Sequence, residues 1–408
     1  MQPRLHMIWL ILIAGVGVLG LLYLWFTLFP GRPAADVFLH FSAEQVERGR
    51  QYNRAIRLAG NFSVFAQVAF LVWFIFTGRA AALIRWLAQT AGGGFWVNLL
   101  LFFLVLWFFL QLINLPFTLF NSYFWQHWWG FSTQTMGSWW GDYLKGSAIS
   151  LVISAAGVLI LFGFMQRWPQ TWWLVTAIFL SVWIIIQTFL WPLVVAPLFN
   201  RFTPATDPAL VAMVGELADK AGLPVSEVLV MDASSRTTKV NAYYTGLGGT
   251  RRIVLYDTLL TSHPLDEVKA VVAHEMAHWQ KGHIIKGLFL GISGNFVLWY
   301  ILFLLLPVTV PQWTRNPATW SVILLFLLLT SFAANPLQNY ISRHMETEAD
   351  QVSVMLTEDV PAALRLEINL AVGNLSDVAP APFVRWFSYS HPPAPERIKT
   401  IEQTGKSL

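Results

Sequence analysis

The chain has no cysteine among its 408 residues. This absence excludes disulfide bonds, thiolate metal sites and thiol catalysis, so any metal must be held by histidine and carboxylate side chains. Charged residues are also scarce, at 12%, where an average soluble protein has about 25%. With 56% hydrophobic residues and a mean hydropathy of +0.54, the composition excludes disorder and argues against a soluble globular protein.

Apolar and aromatic side chains are abundant instead. The chain has 21 tryptophans and 15% aromatic residues, and Trp and Tyr concentrate where a membrane meets water. The net charge is only +4 and no polybasic run is present, so no nucleic-acid partner is expected. We therefore predict a polytopic membrane protein in contact with the lipid bilayer.

Seven stretches are long and apolar enough for a helix that crosses a hydrocarbon core of about 30 Å. The first is too long for the apolar part of a signal peptide and precedes no small-residue cleavage site, so we expect a retained anchor. The predicted spans are residues 7–29, 62–77 (extendable to 87), 95–120, 146–165, 172–195, 284–306 and 318–336.

Two segments between the spans are polar. Residues 37–60 carry too many charges to cross lipid, and Ser42 and Gln45 have the spacing of a capping box. We predict a polar helix there, outside the bilayer. Residues 120–145 are polar and aromatic, which predicts an interfacial loop.

Two blocks have the composition of soluble protein. The first has a predicted helix from Pro208, strands at 227–231, 237–244 and 252–256, a turn at Gly246, Gly248 and Gly249, and a helix at 264–281. The second has predicted helices at 342–356, at 361–372 and from Pro395. The predicted regions are a five-span membrane region with the loop helix (1–199), a soluble block (200–283), a transmembrane hairpin (284–337) and a C-terminal block (338–408).

Two spans separate the soluble blocks, so seven spans place both blocks on one side of the membrane. The loop 30–62 shares that side and has five arginines, whereas Arg79 and Arg85 lie on the other side. Basic residues in short loops favour the cytoplasmic side. We expect the soluble blocks in the cytoplasm and the N-terminus outside, with Arg79 and Arg85 as the opposing signal.

The segment His274-Glu275-Met276-Ala277-His278 lies on the predicted helix 264–281. Side chains at i and i+4 share one helix face, so both imidazoles can reach one Zn²⁺ at about 2.0–2.1 Å. Glu275 can reach a metal-bound water as general base and then pass a proton to the leaving amine. The alternative is a structural histidine pair, which the rarity of this motif in such a composition disfavours.

A catalytic zinc needs a third protein ligand and an open position. His283 lies about 140° round the helix from His278, so we interpret it as a polar residue at the membrane boundary. Glu346 and Asp350 share a helix face at i and i+4. Glu346 would bind the metal, and Asp350 would accept the other ring N–H of a ligand histidine. A solvated acidic face is the alternative, but the topology brings both blocks to one side.

These residues together resemble a known enzyme family. HExxH at 274–278 with Glu346-Thr347-Glu348-Ala349-Asp350 is similar to the HExxH…ExxxD pattern of integral-membrane gluzincin metallopeptidases. Further matches, over almost the whole chain, indicate the type I CaaX prenyl protease branch. They are Leu115-Pro116-Phe117, Gly130-Phe131-Ser132, Asn241-Ala242-Tyr243, residues 252–260, Ser342-Arg343, and Ser390-His391-Pro392-Pro393 with Arg397.

The resemblance implies a fold of seven transmembrane helices with a small α+β zincin-like metallopeptidase domain. That domain would be formed by the loop between helices 5 and 6 and by the C-terminal segment. The resemblance also implies a water-filled chamber between the helices, which would explain polar residues within the spans. Hydrogen bonds between helices explain them equally. These residues are Asn98, Gln111, Asn114, Gln187 and Asn295.

The resemblance also implies roles for four residues outside the metal ligands. Asn241 and Ala242 would lie on an edge strand that pairs with the peptide substrate. His391 would stabilise the oxyanion of the tetrahedral intermediate. Arg397 would hold acidic partners near the site or assist with substrate. Without the family, Asn241 reads as a turn residue, His391 as a loop residue and Arg397 as a helix-surface residue.

The implied reaction is hydrolysis of a peptide bond near the C-terminus of a peptide or protein substrate, prenylated CaaX sequences included. The loop 307–317 is short and the sequence ends without an ER-retrieval signal, so we expect a prokaryotic plasma-membrane protein, or an ER protein if eukaryotic. In a prokaryote the substrate can be another membrane-associated peptide.

Three alternatives remain. An HtpX-like quality-control protease has fewer spans, and a site-two protease buries HExxH in an apolar span, whereas charged residues flank this motif. A transporter or receptor with structural zinc, or none, predicts no proteolysis. The sequence does not give the oligomeric state.

Overall fold

The computed structural model describes residues 3–245 and 251–408. Most of them are helical. The helices of the first half are α1 (Met7–Leu28), α2 (Ala43–Phe76), α3 (Arg79–Thr90), α4 (Phe95–Leu119), α5 (Trp125–Trp128), α6 (Met136–Arg167) and α7 (Trp172–Leu190). Those of the second half are α8 (Pro208–Ala221), α9 (Asp257–Ser262), α10 (Leu265–Gln280), α11 (His283–Thr309), α12 (Ala318–Thr357), α13 (Val360–Gly373), α14 (Pro382–Ser388) and α15 (Ala394–Gly405).

Seven helical segments in the described residues are long and apolar enough to cross a membrane, which confirms the predicted number of spans. They begin with α1, α2, α4, α6, α7, α11 and α12. Six of them form a closed ring, because α2 packs on α4, α4 on α6, α6 on α7, α7 on α11, and α12 on both α11 and α2. Helix α1 packs against α2 and α12.

Hydrogen bonds between neighbouring helices of the ring use three of the five polar residues noted within the spans. The pairs are Ser63–Asn114, Gln111–Ser147 and Ser181–Asn295. Asn98 instead donates to the carbonyl of Gly93. The interhelical explanation therefore accounts for Gln111, Asn114 and Asn295.

Helix α2 joins two elements that the sequence predicted as separate. The polar helix at 37–60 and the second span form one helix of 34 residues. Its start matches the prediction, because Ser42 and Gln45 form a reciprocal capping box. The helix does not extend to residue 87, because Gly78 adopts φ of 84° and begins the separate helix α3.

The interfacial loop predicted at 120–145 is wrong. A π-helical turn, Phe120–Phe124, and α5 continue directly from α4, and α6 already begins at Met136. Polar residues here bond along and between helices: Ser122 donates to the Thr118 carbonyl, and Trp139 donates to the Ser122 hydroxyl. Polarity in this segment therefore marks side-chain bonding at helix surfaces, and only residues 129–135 separate α5 from α6.

Helix α12 likewise joins the last predicted span to the predicted helix 342–356, in one element of 40 residues. Pro336 lies inside it, where a proline removes one backbone hydrogen bond. Packing on both sides of the proline, through buried Phe332 and Arg343 among others, holds the helix together. The predicted boundary between residues 337 and 338 falls within this helix.

The soluble part contains a four-stranded sheet with the order β1 (Phe202–Pro204), β2 (Glu227–Met231), β4 (Arg252–Tyr256) and β3 (Ala242–Thr245). Strands β2 and β4 are parallel, and the two outer strands pair antiparallel to them. The strand predicted at 237–244 begins only at Ala242, because Thr237 bridges instead to Ser132. The turn predicted at Gly246, Gly248 and Gly249 lies outside the described residues.

Helices α8 and α10 cover one face of this sheet. The fully buried Val214, Leu217, Val272, Ala273 and Met276 form the centre of that core. Helix α10 also packs closely along α12. The opposite side of α10 therefore faces the helix that enters this domain from the membrane.

Candidate metal centre

Helix α10 presents its histidines to α12 because its apolar residues are used elsewhere. Ala273, Met276 and Ala277 are fully buried against the sheet and α12. His274 and His278 stand one turn apart on the remaining side. Their ring centroids are 4.8 Å apart. The four-residue spacing therefore brings both imidazoles to one point, as the sequence predicted.

Glu346 on α12 meets these two rings. The Nε2 atom of His274 lies 3.2 Å from His278 Nε2 and 3.2 Å from Glu346 Oε2. His278 Nε2 lies 3.5 Å from Glu346 Oε1. Ligands about 2.0–2.2 Å from a tetrahedral Zn²⁺ stand roughly 3.3–3.6 Å from one another. The three side chains thus converge at the separation that zinc coordination requires.

The charges around the three side chains also suit a cation. Burial and the neighbouring His274 lower the pKa of His278 to about 4, so its ring is neutral, the form that binds a metal. Burial alone would lower the pKa of His274, but Asp350 and Glu346 outweigh it and raise the pKa to about 10. The carboxylates therefore stabilise positive charge here, and the donor set of two imidazoles and a carboxylate fits zinc.

Asp350 stands behind His274, where the sequence predicted a carboxylate. Its Oδ1 atom lies 3.0 Å from His274 Nδ1. Arg397 on α15 donates two hydrogen bonds to Asp350, of 2.8 and 2.6 Å, and lies 2.8 Å from Glu367 on α13. Arg397 thus holds acidic partners, the first of its two predicted roles. Glu367 was missed, since no motif marks it and only the packing of α13 brings it here.

His278 has a similar partner that the sequence reading also missed. Its Nδ1 atom lies 2.9 Å from His283 Nδ1, and His283 Nε2 lies 2.9 Å from Glu348 Oε2. His283 is only 5% exposed and lies at the start of α11, and its contact with His278 was not predicted. The 140° estimate assumed one continuous helix, but Gly282 at φ of 66° ends α10 and redirects the chain.

A cavity of about 180 Å³ adjoins the three converging side chains. Glu275, His391, Asn241 and Ala242 line it, together with Asp350 and Arg397. Burial raises the pKa of Glu275 to about 7, and a bound cation would favour its ionised form. The exposed His391 places Nε2 3.4 Å from Glu346 Oε1. Seven of the nine predicted site residues therefore line one cavity, His274 included, and His278 and Glu346 converge on His274 beside it.

Strand β3 is an edge strand in the described part of the sheet. The Asn241 carbonyl accepts a hydrogen bond from Tyr256 N–H, so Asn241 faces β4. Alternation along an antiparallel strand then turns the backbone of Ala242 to the open edge. The Ala242 N–H is bonded to Asn241 Oδ1, at 2.9 Å, which leaves the Ala242 carbonyl available to a peptide.

An HExxH helix, a carboxylate delivered by a second helix and an open edge strand beside them define a membrane-embedded zincin-like metallopeptidase. The sequence comparisons agree. The model of Peptidase family M48 matches residues 204–405, and that of the CAAX prenyl protease N-terminal region, five membrane helices, matches residues 31–201. The chain belongs to peptidase family M48, whose members are metalloproteases.

Relatives occur in bacteria and eukaryotes. An uncharacterized metalloprotease of Bacillus subtilis, YhfN, is 33% identical over 67% of this chain and 66% of its own length. CAAX prenyl protease 1 of Saccharomyces cerevisiae is 29% identical over 71% of this chain and 69% of its own. The crystal structure of S. mikatae Ste24p superposes with a TM-score of 0.84 at 25% identity, over 96% of this chain and 97% of that one.

Proposed function

We propose that this protein is a zinc metalloendopeptidase that hydrolyses peptide bonds near the C-terminus of membrane-associated substrates, prenylated CaaX sequences included. The observation that carries the proposal is the convergence of His274, His278 and Glu346 beside Glu275. The relatives named CAAX prenyl protease 1 support the substrate class. Seven spans favour this function over an HtpX-like quality-control protease.

Five side chains take part in the proposed reaction. When bound by His274, His278 and Glu346, zinc would supply Lewis acidity to water and to the scissile carbonyl. The Glu275 carboxylate takes a proton from the attacking water and gives it to the leaving nitrogen. The His391 imidazole donates a hydrogen bond to the oxygen on which negative charge develops.

Two further residues fix the geometry of His274. Asp350 accepts the Nδ1–H of that ring, which leaves Nε2 as the lone-pair donor facing His278 and Glu346. Arg397 prevents the Asp350 carboxylate from turning away, because it holds both carboxylate oxygens. Because Asp350 fixes its orientation, the His274 ring needs little reorganisation to bind a metal.

The test is a cleavage assay on the purified full chain in detergent or liposomes. A farnesylated CaaX peptide and its unmodified version are compared, with and without a zinc chelator. We expect cleavage near the C-terminus that stops on chelation and returns with added zinc. Equal cleavage of both peptides would show that the farnesyl group is not recognised, and cleavage that survives chelation would contradict the proposal.

We also propose that the soluble blocks face the cytoplasm of a prokaryotic cell, with the arginine-rich segment before residue 62 as the support. The natural absence of cysteine allows single-cysteine labelling without background. Lys399→Cys, on exposed α15, should react with a membrane-impermeant thiol reagent only after lysis. Arg315→Cys, in the loop between α11 and α12, should react in intact cells. The reverse pattern would overturn the orientation.

A further inference from the structure

Lys239 lies just before the edge strand and has an unusual environment for a lysine. Its Nζ atom donates to the Tyr52 hydroxyl at 2.6 Å and lies 4.8 and 4.5 Å from the ring centroids of Tyr52 and Phe131. All these contacts are neutral. Among the ion pairs within residues 3–245 and 251–408, none includes Lys239. The ammonium group has three donors and uses one here, so it can bind an anion.

The surroundings of β3 fix which way an extended peptide runs. The cavity beside the metal ligands is lined by Val240, Asn241 and Ala242, so the scissile bond lies near the start of β3. In one direction the open edge of β3 continues to Thr245 and can pair with several peptide residues. In the other direction the chain leads back through Val240 to Lys239.

On the Lys239 side of Ala242, neighbouring segments block the path of an extended peptide. Thr237 bridges to Ser132, and the Thr238 N–H donates to the Phe131 carbonyl. These bonds seal the segment before β3 against the segment after α5, and Tyr52 on α2 stands beside them. A long polypeptide fits along the open edge, whereas only a chain end fits against this wall. The substrate therefore lies antiparallel to β3, with its C-terminus toward Lys239.

The distances along the chain match a short C-terminal fragment. Ala242 is three residue steps from Lys239, about 10 Å at roughly 3.3 Å per extended residue. A peptide paired with Ala242 near its scissile bond would thus bring a carboxylate two or three residues further on into reach of the Lys239 ammonium. A charge-assisted bond to that carboxylate is worth more than one to a neutral group.

We propose that Lys239, supported by Tyr52 and Phe131, binds the free C-terminal carboxylate of the substrate and so sets how far from the chain end the peptide is cut. The proposal rests on the proposed peptidase function and assigns its substrate a free C-terminus. A lysine ammonium binds a carboxylate as a point charge, without a fixed planar geometry. The neighbouring side chains of the substrate can therefore vary.

The test measures binding in the Glu275→Gln background, where substrate is not consumed. Fluorescent peptides that differ only in ending as a carboxylate or as an amide are titrated by anisotropy. We expect the carboxylate peptide to bind about tenfold or more tightly, and Lys239→Met to bring the ratio close to one. Lys399→Met, which removes an exposed lysine on α15, should leave the ratio unchanged.

Two results would overturn the proposal. One is equal binding of both peptides when Lys239 is intact, a comparison that needs no folded Lys239 variant. The other is an equal loss for both peptides in Lys239→Met with a preserved melting temperature, which would mean a purely structural lysine. Lys239→Arg should retain most of the preference. Failure of the peptidase proposal is seen separately, as no hydrolysis by the chain with Glu275 intact.

Discussion

Two buried clusters of charge lie near each other, and only one of them is complete by itself. In the first, Arg57 on α2 pairs with Asp377 at 2.7 Å and also donates to the Tyr389 hydroxyl. That hydroxyl donates to the Asp377 carbonyl at 2.9 Å. Each charge has an opposite partner, and burial raises the pKa of Tyr389, which stays a protonated donor. This cluster fastens α2 to the C-terminal block.

The second cluster, His274, His278 and Glu346, differs because three potential metal-binding side chains converge on one point. His274 and His278 bring two ring nitrogens to 3.2 Å, and the Glu346 carboxylate faces both. Around this group, Arg397 donates two hydrogen bonds to Asp350 beside His274, and Glu348 lies 2.9 Å from His283 beside His278. A cluster of paired charges stabilises the fold, whereas a cluster whose inner donor atoms converge on one point prepares a place for a cation. Substitutions in the first cluster should therefore lower stability, whereas substitutions in the second should lower activity or metal binding.

The largest expected effect is on catalysis at the metal cluster. Glu275→Gln should lower kcat by about 10⁴-fold, because the amide cannot take the proton from water. Zinc content, measured by mass spectrometry of the purified protein, should stay near one per chain, since Glu275 is not among the converging donors. Retained activity would show that another group is the base.

Substitutions in the cluster of Arg57, Asp377 and Tyr389 should instead lower the free energy of unfolding. Arg57→Met leaves Asp377 buried without its partner, which should cost about 3–5 kcal/mol of unfolding free energy, with metal content unchanged in the folded fraction. Arg48→Met is the matched control, because its pair with Glu44 on the same helix is exposed and should contribute about 0–1 kcal/mol. Thermal or denaturant unfolding distinguishes them. Equal losses would remove the distinction between the clusters.

His391 is expected to act on the reaction alone. His391→Asn should lower kcat by about 10²–10³-fold with little change in KM or in zinc affinity, because it removes a bond that forms as the oxyanion develops. Lys399→Met, at an exposed position on α15 away from this ring, is the control and should stay close to the parent. A rise in KM with kcat intact would instead assign His391 to substrate binding.

The smallest expected effect comes from the outer side of the metal cluster. Asp350→Asn should weaken zinc binding about 10–100-fold, since the amide supports the His274 ring less well. Glu348→Gln should weaken it less, because Glu348 is 40% exposed and acts through His283. Competition with a calibrated chelator measures both. If Glu348→Gln weakened zinc binding more than Asp350→Asn, His278 would depend on its carboxylate partner more strongly than His274 does.

Local patterns in the sequence carried much of the site. The spacing of His274 and His278 and the pairing of Glu346 with Asp350 depend only on helix periodicity, so both could be predicted. The convergence of α10 with α12 depends on tertiary packing. The sequence indicated it only indirectly, because seven spans place both soluble blocks on the same side of the membrane. The contact of His283 with His278 was missed because one glycine changes the chain direction, and Glu367 was missed because its role exists only once α13 and α15 pack together.

The fold shows the same limit. The number of spans follows from apolar length, which the bilayer thickness dictates. The joined helices α2 and α12 could not be predicted, because a change from apolar to polar composition looks like the end of an element. Here the change marks where one helix leaves the hydrocarbon, and the backbone continues. The composition of a helix therefore indicates whether lipid or water surrounds it more directly than it indicates where the helix ends.

The unbroken α12 has a consequence for where this enzyme can cut. Glu346 lies about 40 Å along that helix from its start, at a rise of about 1.5 Å per residue, whereas the hydrocarbon core is about 30 Å thick. One continuous helix therefore connects Glu346, the proposed third metal ligand, to the last membrane span. For the proposed membrane-associated substrates, the substrate chain must therefore extend out of the hydrocarbon core to the depth of these side chains before it can be cut.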